Sequence, residues 1–292
     1  MSFGPRQSKA GLPDWIRKKK LRLGDLHEIK TAMRKGGLHT VCEEARCPNR
    51  SECFSQHTAT FLINGRVCTR NCAYCSIAHG KPEPLNLEEA SQLVAAVQEM
   101  KLRYVVITSV DRDDLPDGGA SGFLRCIEAL RELPEAPKVE VLTPDFRANL
   151  SSVDLIIDAG PEVYNHNIET IRRLYPEYRR SGRYDWALAV VRRVAERAPG
   201  MLRKSGLMVG LGESFEEVCE VLRDLAEAGC RVVTIGQYLQ PTPAQVEVSR
   251  YWAPAEFDAL AEAAKALGMM ALSGPFVRSS YRAEEAFLGS RR

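Results

Sequence analysis

The chain has 292 residues, 45% of them hydrophobic, and a net charge of +2 at neutral pH. That is apolar material for one large α/β domain or two smaller ones, and the near-neutral balance singles out no acidic or basic partner. No run of eighteen apolar residues occurs, which argues against a membrane-spanning helix; the opening Met1–Arg6 has no apolar stretch, so no secretory signal and a cytoplasmic location are expected.

Charge is uneven along the chain. Residues 1–35 carry ten Lys or Arg against three acids, Asp14, Asp25 and Glu28. Arg17-Lys18-Lys19-Lys20 reads as a solvated face or docking arm, with nucleic-acid contact the weaker reading because short basic runs are common. A helix is expected over 26–35, stopped by Gly36-Gly37. Cys42-x4-Cys47-x5-Cys53 follows, with Pro48-Asn49 turning the chain between thiols. From residue 58 the rhythm becomes an alternation of strands and helices. Strands are expected over 58–67, 104–110, 139–142, 163–168, 207–210 and 231–238, with short buried runs at 154–158 and 269–272. Helices are expected over 87–101, 122–132, 186–197, 214–227 and 254–268. Asn86 with Glu89, and Ser214 with Glu217, have capping-box spacing; Gly229 closes one helix and Pro254 opens another. Strands apolar on both faces imply a parallel sheet covered by helices. About six such units over about 200 residues predict an α/β partial TIM barrel, near (β/α)6. Residues 1–57 then form an N-terminal extension, 58–272 the barrel, and 273–292 a C-terminal extension.

Nine cysteines is a high count, and six of them fall between Cys42 and Cys75. An odd, clustered set argues for metal ligation in a reducing compartment, while Cys126, Cys219 and Cys230 stand alone among apolar neighbours and read as small buried hydrophobes. Cys68-x3-Cys72-x2-Cys75 places three thiols within eight residues. Three thiolates satisfy three irons of a 4Fe–4S cube and leave the fourth iron open. Cys72-x2-Cys75 is also zinc-knuckle spacing, so a four-ligand zinc site stays open on spacing alone. The same alternative stands for Cys42, Cys47 and Cys53, although two triads within 34 residues are hard to explain without two metal centres.

In a parallel barrel, chemistry collects where strands end and loops begin. Cys68 to Cys75, Ser109-Val110-Asp111, residues 165–169, Gly212-Glu213 and Gln240 all fall there, which points to one central pocket. Asn167 and Glu169 alternate with Ile168 and face the pocket if the strand persists, a pair able to engage the hydroxyls of a ribose. His166 then points away as a satisfied core histidine. Gly206-x3-Gly210-x-Gly212 permits close backbone approach. Arg203, Lys204 and Arg278 are candidate contacts for a carboxylate or substrate. Ser279-Ser280 alone reads as a polar tail.

With Tyr74 before its last cysteine, the Cys68–Cys75 stretch resembles the radical S-adenosylmethionine (SAM) enzymes. The upstream triad lies in Val41-Cys-Glu-Glu-Ala-Arg-Cys-Pro-Asn. Together with Val106-Ile-Thr-Ser-Val-Asp-Arg-Asp-Asp-Leu, Tyr164-Asn-His-Asn-Ile-Glu-Thr, Lys204-Ser-Gly-Leu-Met-Val-Gly-Leu-Gly-Glu and Gly274-Pro-x-Val-Arg-Ser-Ser-Tyr, it is similar to the lipoyl synthase family from about Pro13 to Ala283. The resemblance implies that the open iron of a cluster on Cys68, Cys72 and Cys75 binds SAM, whose cleavage leaves a 5′-deoxyadenosyl radical. That radical would take hydrogen from C6 and then C8 of an octanoyl chain on a carrier-protein lysine. The resemblance also implies an auxiliary 4Fe–4S cluster on Cys42, Cys47, Cys53 and Ser280, consumed as it donates sulfur, and hence N- and C-terminal extensions that both cover the barrel mouth; spacing alone does not separate Ser279 from Ser280. A serine oxygen is a harder ligand than thiolate, which suits a cluster that must open. Tyr74, Ser109, Asn167 and Glu169 are the implied cofactor contacts, with the Gly206–Gly212 run on the adenosine side and Asp111–Asp114 an ion-paired loop.

The implied partners are octanoylated lipoyl carriers, namely the glycine cleavage H protein and acyltransferase subunits of 2-oxoacid dehydrogenases. A flavodoxin or ferredoxin electron donor and an iron–sulfur carrier protein complete them. A monomer without nucleic-acid or membrane partners is expected, and the basic arm would steer acidic carriers in. Two rivals remain: a biotin synthase-like sulfur inserter, which the upstream triad and Arg278-Ser-Ser-Tyr disfavour, and a zinc-stabilised nucleic-acid-binding module.

Overall fold

A computed structural model of the chain describes residues 13–17, 39–40, 59–281 and 283–289. Lys18 to Lys20, the helix expected over 26–35, and Cys42, Cys47 and Cys53 lie outside them. Short apolar runs rich in Val and Ile form one sheet, as their β-branched side chains favour. A short helix α1 (Asp14–Arg17) and strand β1 (His39–Thr40) precede β2 (Ala59–Ile63), α2 (Glu89–Glu99), β3 (Tyr104–Ser109) and α3 (Ala120–Arg131). Then come β4 (Lys138–Leu142), α4 (Leu150–Asp158), β5 (Val163–Asn165), α5 (Tyr175–Tyr178) and α6 (Tyr184–Arg197). The chain continues through β6 (Leu202–Val209), α7 (Phe215–Glu227), β7 (Val232–Gln237), α8 (Pro254–Ala266), β8 (Met270–Gly274) and α9 (Ala283–Gly289).

The strands stand in sequence order, β2 to β8 all parallel, with β1 antiparallel on β2. Strand β8 does not pair back to the first strands, so this is an open partial barrel. Alternation along each strand sets two faces. Phe61, Ile63, Val105, Ile107, Val139 and Val141 pack outward against Leu93, Phe123, Ile127 and Ile156 of the helices. Leu207, Val209, Val233 and Ile235 do the same against Val191, Val218, Leu222 and Phe257. The opposite set, including Leu62, Thr108, Leu142, Lys204 and Thr234, faces the bore.

Several boundaries differ from expectation for physical reasons. The apolar run at 154–158 is part of helix α4, because Val153, Ile156 and Ile157 are buried at helical spacing. Strand β6 begins at Leu202 rather than at 207. Its polar Arg203 and Lys204 find partners inside the protein and so carry no apolar signal. The Ser214–Glu217 capping box forms as expected. The one at Asn86 does not: Glu89 instead accepts from the backbone N–H of Asn64 and Gly65 at 2.8 and 3.1 Å, tying α2 to the end of β2.

Residues 277–281 of the C-terminal extension line the barrel mouth, and the chain continues beyond them. It turns over the end of β8 and then descends into the bore. The Ser279 hydroxyl donates to Asn167 Oδ1 at 2.9 Å, and α9 packs Ala283 and Phe287 against Tyr104, Val106 and Val163. The Tyr104 and Phe287 ring centroids are 6.0 Å apart. Helix α9 thus closes the end of the bore opposite the mouth.

Candidate active site

Loop 68–80 leaves β2 and folds back on itself. Cys68 N–H donates to Ala78 O, and Gly80 N–H donates to Cys68 O, at 2.8 and 2.9 Å. Thr69 anchors the loop to β3, its N–H and Oγ1 both donating to Asp111 O. On the other side Ala73 N–H donates to Tyr178 O of α5, and Val246 N–H donates to Ala73 O. The loop is therefore held from three directions while Cys68, Cys72 and Cys75 line one cavity of about 510 Å3 at the barrel mouth.

Beneath the loop lies a buried ionic cluster. The Arg70 guanidinium, fully buried, donates to both oxygens of Asp113 at 2.7 and 2.8 Å and to both oxygens of Asp145 at 2.8 and 2.9 Å. Asp111 Oδ1 is 3.2 Å from Arg70 Nη1. Arg179, also buried, reaches Asp145 at 3.2 Å and Asn167 O at 3.3 Å. Burial alone would raise the Asp145 carboxyl, but Arg70's hydrogen bonds and the charges of Arg179 and Arg70 pull it down to about 2. The following residues Phe146, Arg147 and Ala148 have φ of 48, 53 and 61°. Three consecutive left-handed residues with side chains cost on the order of 1–2 kcal/mol each, so contacts of Asp145 and Phe146 must hold the turn.

The sequence-derived site residues converge on this cavity. Tyr74, Ser109, Asp111, His166, Asn167, Glu169, Gln240, Arg278, Ser279 and Ser280 all line it. Asn167 Nδ2 donates to Glu169 Oε1 at 3.1 Å. The strand does not persist to hold them: β5 ends at Asn165, and Glu169 sits at φ 67°. Burial raises the Glu169 carboxyl, against the pull of Arg179 and Asn167. His166 is a satisfied core histidine at one nitrogen only. Its Nδ1 pairs with Thr143 O at 2.8 Å, while Nε2 is buried without a partner and the ring lines the cavity. Burial holds it neutral, its pKa down at about 4.

Other expected residues lie elsewhere. Arg203 spends its guanidinium on the carbonyls of Gly229, Pro199 and Met201 at 2.7–2.8 Å, away from the mouth. Lys204 is buried on Glu140, with Nζ at 2.9 Å from Oε1. Glu213 accepts from Gly210 N, Leu211 N and Trp252 Nε1, so it shapes its own turn. The glycines make room for protein rather than bare cavity: a Cβ on Gly206 would lie 2.8 Å from Asn167 Oδ1 and 3.0 Å from Ser279 Oγ. Residues missed from sequence are Asp145, Arg179, Tyr178 and the bonds of Arg70. Asp145's partners Arg179 and Arg70 lie 34 and 75 positions away, so no local pattern marked them.

The residues fit an iron–sulfur cluster with a polar organic ligand. Burial pushes the thiols of Cys68 and Cys75 up to about 12 and raises that of Cys72. Three buried thiolates so close need a cationic centre to offset them. All three cysteines line the cavity, and among the described residues no three His, Cys, Asp or Glu side chains converge on one ion. Ser109 Oγ and His166 Nε2 are buried polar atoms with no hydrogen-bond partner among the described residues, and both residues line the cavity, as contacts of a zwitterionic ligand would.

Comparison with known proteins agrees. The profile of the radical SAM superfamily matches residues 62–237, and that of the N-terminal domain of lipoyl synthase matches residues 4–47. The chain is 48% identical to the lipoyl synthase of Haemophilus influenzae (strain PittGG) over 97% of its own length and 89% of that protein. It is 47% identical to that of Thioalkalivibrio sulfidiphilus (strain HL-EbGR7), covering 98% and 90%. Two solved structures share the fold. One is Streptococcus suis SuiB bound to S-adenosylmethionine, with TM-score 0.57 and 12% identity over 77% of this chain and 55% of that one. The other is methylornithine synthase (PylB), with TM-score 0.56 and 14% identity over 87% and 76%. On near-full-length identity and the cysteine loop together, the chain belongs to the lipoyl synthase family of radical SAM enzymes.

Proposed function

We infer that this chain inserts two sulfur atoms, at C6 and C8, into an octanoyl group carried on a protein lysine, giving the lipoyl group. The observation that carries the reading is the meeting of Cys68, Cys72 and Cys75 with the C-terminal Arg278–Tyr281 segment in one cavity. When bound, a 4Fe–4S cluster and SAM supply a one-electron cleavage whose radical takes hydrogen from an unactivated C–H bond. The protein's part is placement. Cys68, Cys72 and Cys75 would hold the cluster through their thiolates. Asn167 and Glu169, 3.1 Å apart, offer an amide and a carboxylate to a ribose diol. Tyr74 and Ser109 flank the same ligand.

Cys42, Cys47 and Cys53, with Ser280, would hold the second cluster, the source of sulfur. Ser279 is committed to Asn167, which supports Ser280 as the ligand. The partners are octanoylated carrier proteins, a flavodoxin or ferredoxin donor, and an iron–sulfur carrier that rebuilds the second cluster; the setting is cytoplasmic. No helix among the described residues is long and apolar enough to cross a membrane.

The test is anaerobic. Purified protein should carry about eight irons and about eight sulfides per chain, two cubes' worth. With dithionite, SAM and an octanoyl-lysine peptide it should yield about one lipoyl product per chain without cluster resupply, since each chain holds one expendable cube. A colourless protein with stoichiometric zinc would end this reading, and sustained turnover without resupply would end the sacrificial-cluster part of it.

A further inference from the structure

The bore below the cavity is closed by an ion pair. On each inner strand face, the residue two positions before a cavity-lining residue lies one layer deeper. Val106 lies beneath Thr108, Glu140 beneath Leu142, Lys204 beneath Gly206, and Val232 beneath Thr234. Glu140 and Lys204 reach each other across the bore under the cavity; neither lines it, and each side chain is 1% exposed. Lys204 Nζ is 2.9 and 3.3 Å from the two carboxylate oxygens. Tyr104 OH donates to Glu140 Oε2 at 2.8 Å, and Asn165 Nδ2 to Oε1 at 3.0 Å. The carboxylate is thus held by three groups, with α9 packed below on Tyr104. The layer above is different. Thr60, Leu62 and Leu142 line it, and Thr108 and Thr234 turn their hydroxyls to strand carbonyls at 2.8 and 3.4 Å, so neither of these two points its proton into the cavity.

We propose that the Glu140–Lys204 pair is a specificity-determining floor that limits the acyl chain to about eight carbons, stopping the chain end among the side chains of Thr60, Leu62, Leu142 and Thr234. The inference rests on the acyl-lysine reading given above. An apolar chain reaching deeper would have to displace a buried ion pair whose carboxylate accepts from three groups, and a methylene gains nothing against such groups. Removing both charges together, with their volume, opens an apolar hole without leaving an unpaired ion. Each added methylene is then free to be buried.

The experiment measures anaerobic binding to the holoenzyme of fluorescent peptides bearing hexanoyl-, octanoyl-, decanoyl- or dodecanoyl-lysine. In the wild type, affinity should rise from hexanoyl to octanoyl and fall at decanoyl. In Glu140→Ala/Lys204→Ala the decanoyl peptide should gain roughly tenfold or more in affinity, the worth of two buried methylenes, while the octanoyl peptide stays within about threefold. Affinity that climbs steadily through dodecanoyl in the wild type overturns the floor, as does a folded double variant with unchanged preference. If the double variant does not fold, the wild-type length series decides alone. Failure of the wild type to tell octanoyl from unacylated peptide would instead overturn the acyl-lysine reading itself.

Discussion

Asp145 joins two walls of the site. Its carboxylate takes Arg70 from the cysteine loop and Arg179 from the segment that carries Tyr178 and touches Asn167. Asp145→Asn leaves buried guanidinium charge short of a partner and should cost about 3 kcal/mol in urea unfolding. The wild-type carboxyl sits at about 2, below its unfolded value, so its stabilisation is fully present above pH ~4 and is lost as pH falls toward ~2. The acid limb of the stability profile should therefore be steeper in wild type than in Asp145→Asn; parallel limbs would contradict the assignment. Glu169 belongs to the same scale. Glu169→Gln removes a charged acceptor from the proposed ribose contact and should weaken SAM about tenfold in equilibrium dialysis of the cluster-loaded enzyme. At this scale the sequence was informative where chemistry is local. Three cysteines in eight residues declare themselves, whereas Asp145, one of 38 acids, gains meaning only from partners distant in the chain.

At the scale of elements, hydrophobic spacing located the strands and helices of the barrel, because each packs one face on the sheet–helix core. It failed where a strand faces inward on polar partners, as β6 does at Arg203 and Lys204, and where an element is very short, as α5 is. Helix α7 begins with a complete capping box at Ser214, so Ser214→Ala should lower stability by about 1 kcal/mol and leave product formation unchanged. Gly236 has a different role. A Cβ there would run into the Val277 carbonyl oxygen and press on Arg278 Nη1 at 3.1 Å. The backbone of the C-terminal segment passes directly against β7, and only a hydrogen fits between. Gly236→Ala should therefore displace residues 277–281, cost about 1–3 kcal/mol, and raise protease sensitivity near Arg278. A variant that digests like wild type would show that the segment has room to spare.

Across the whole molecule, the bore has a stop at one end and a reactive mouth at the other. Removing α9 exposes Tyr104, Val106, Val163 and the Glu140–Lys204 pair to water. Such a truncation should speed amide exchange in β3 and β5 and bind hydrophobic dyes, without releasing the outer helices. Unaltered exchange in those strands would show that α9 is a bystander. The order of strands carries a consequence for synthesis. Because β2 to β8 follow one another around the sheet, each strand can add to its predecessor as it leaves the ribosome. The segment that fills the bore is made after every strand it touches. Until that segment docks, the Glu140–Lys204 pair lacks the cover that Phe287, packed on Tyr104, gives it from below. Docking of α9 comes after the strands it covers, so any group that must be installed deep in the bore has its easiest entry before that contact forms.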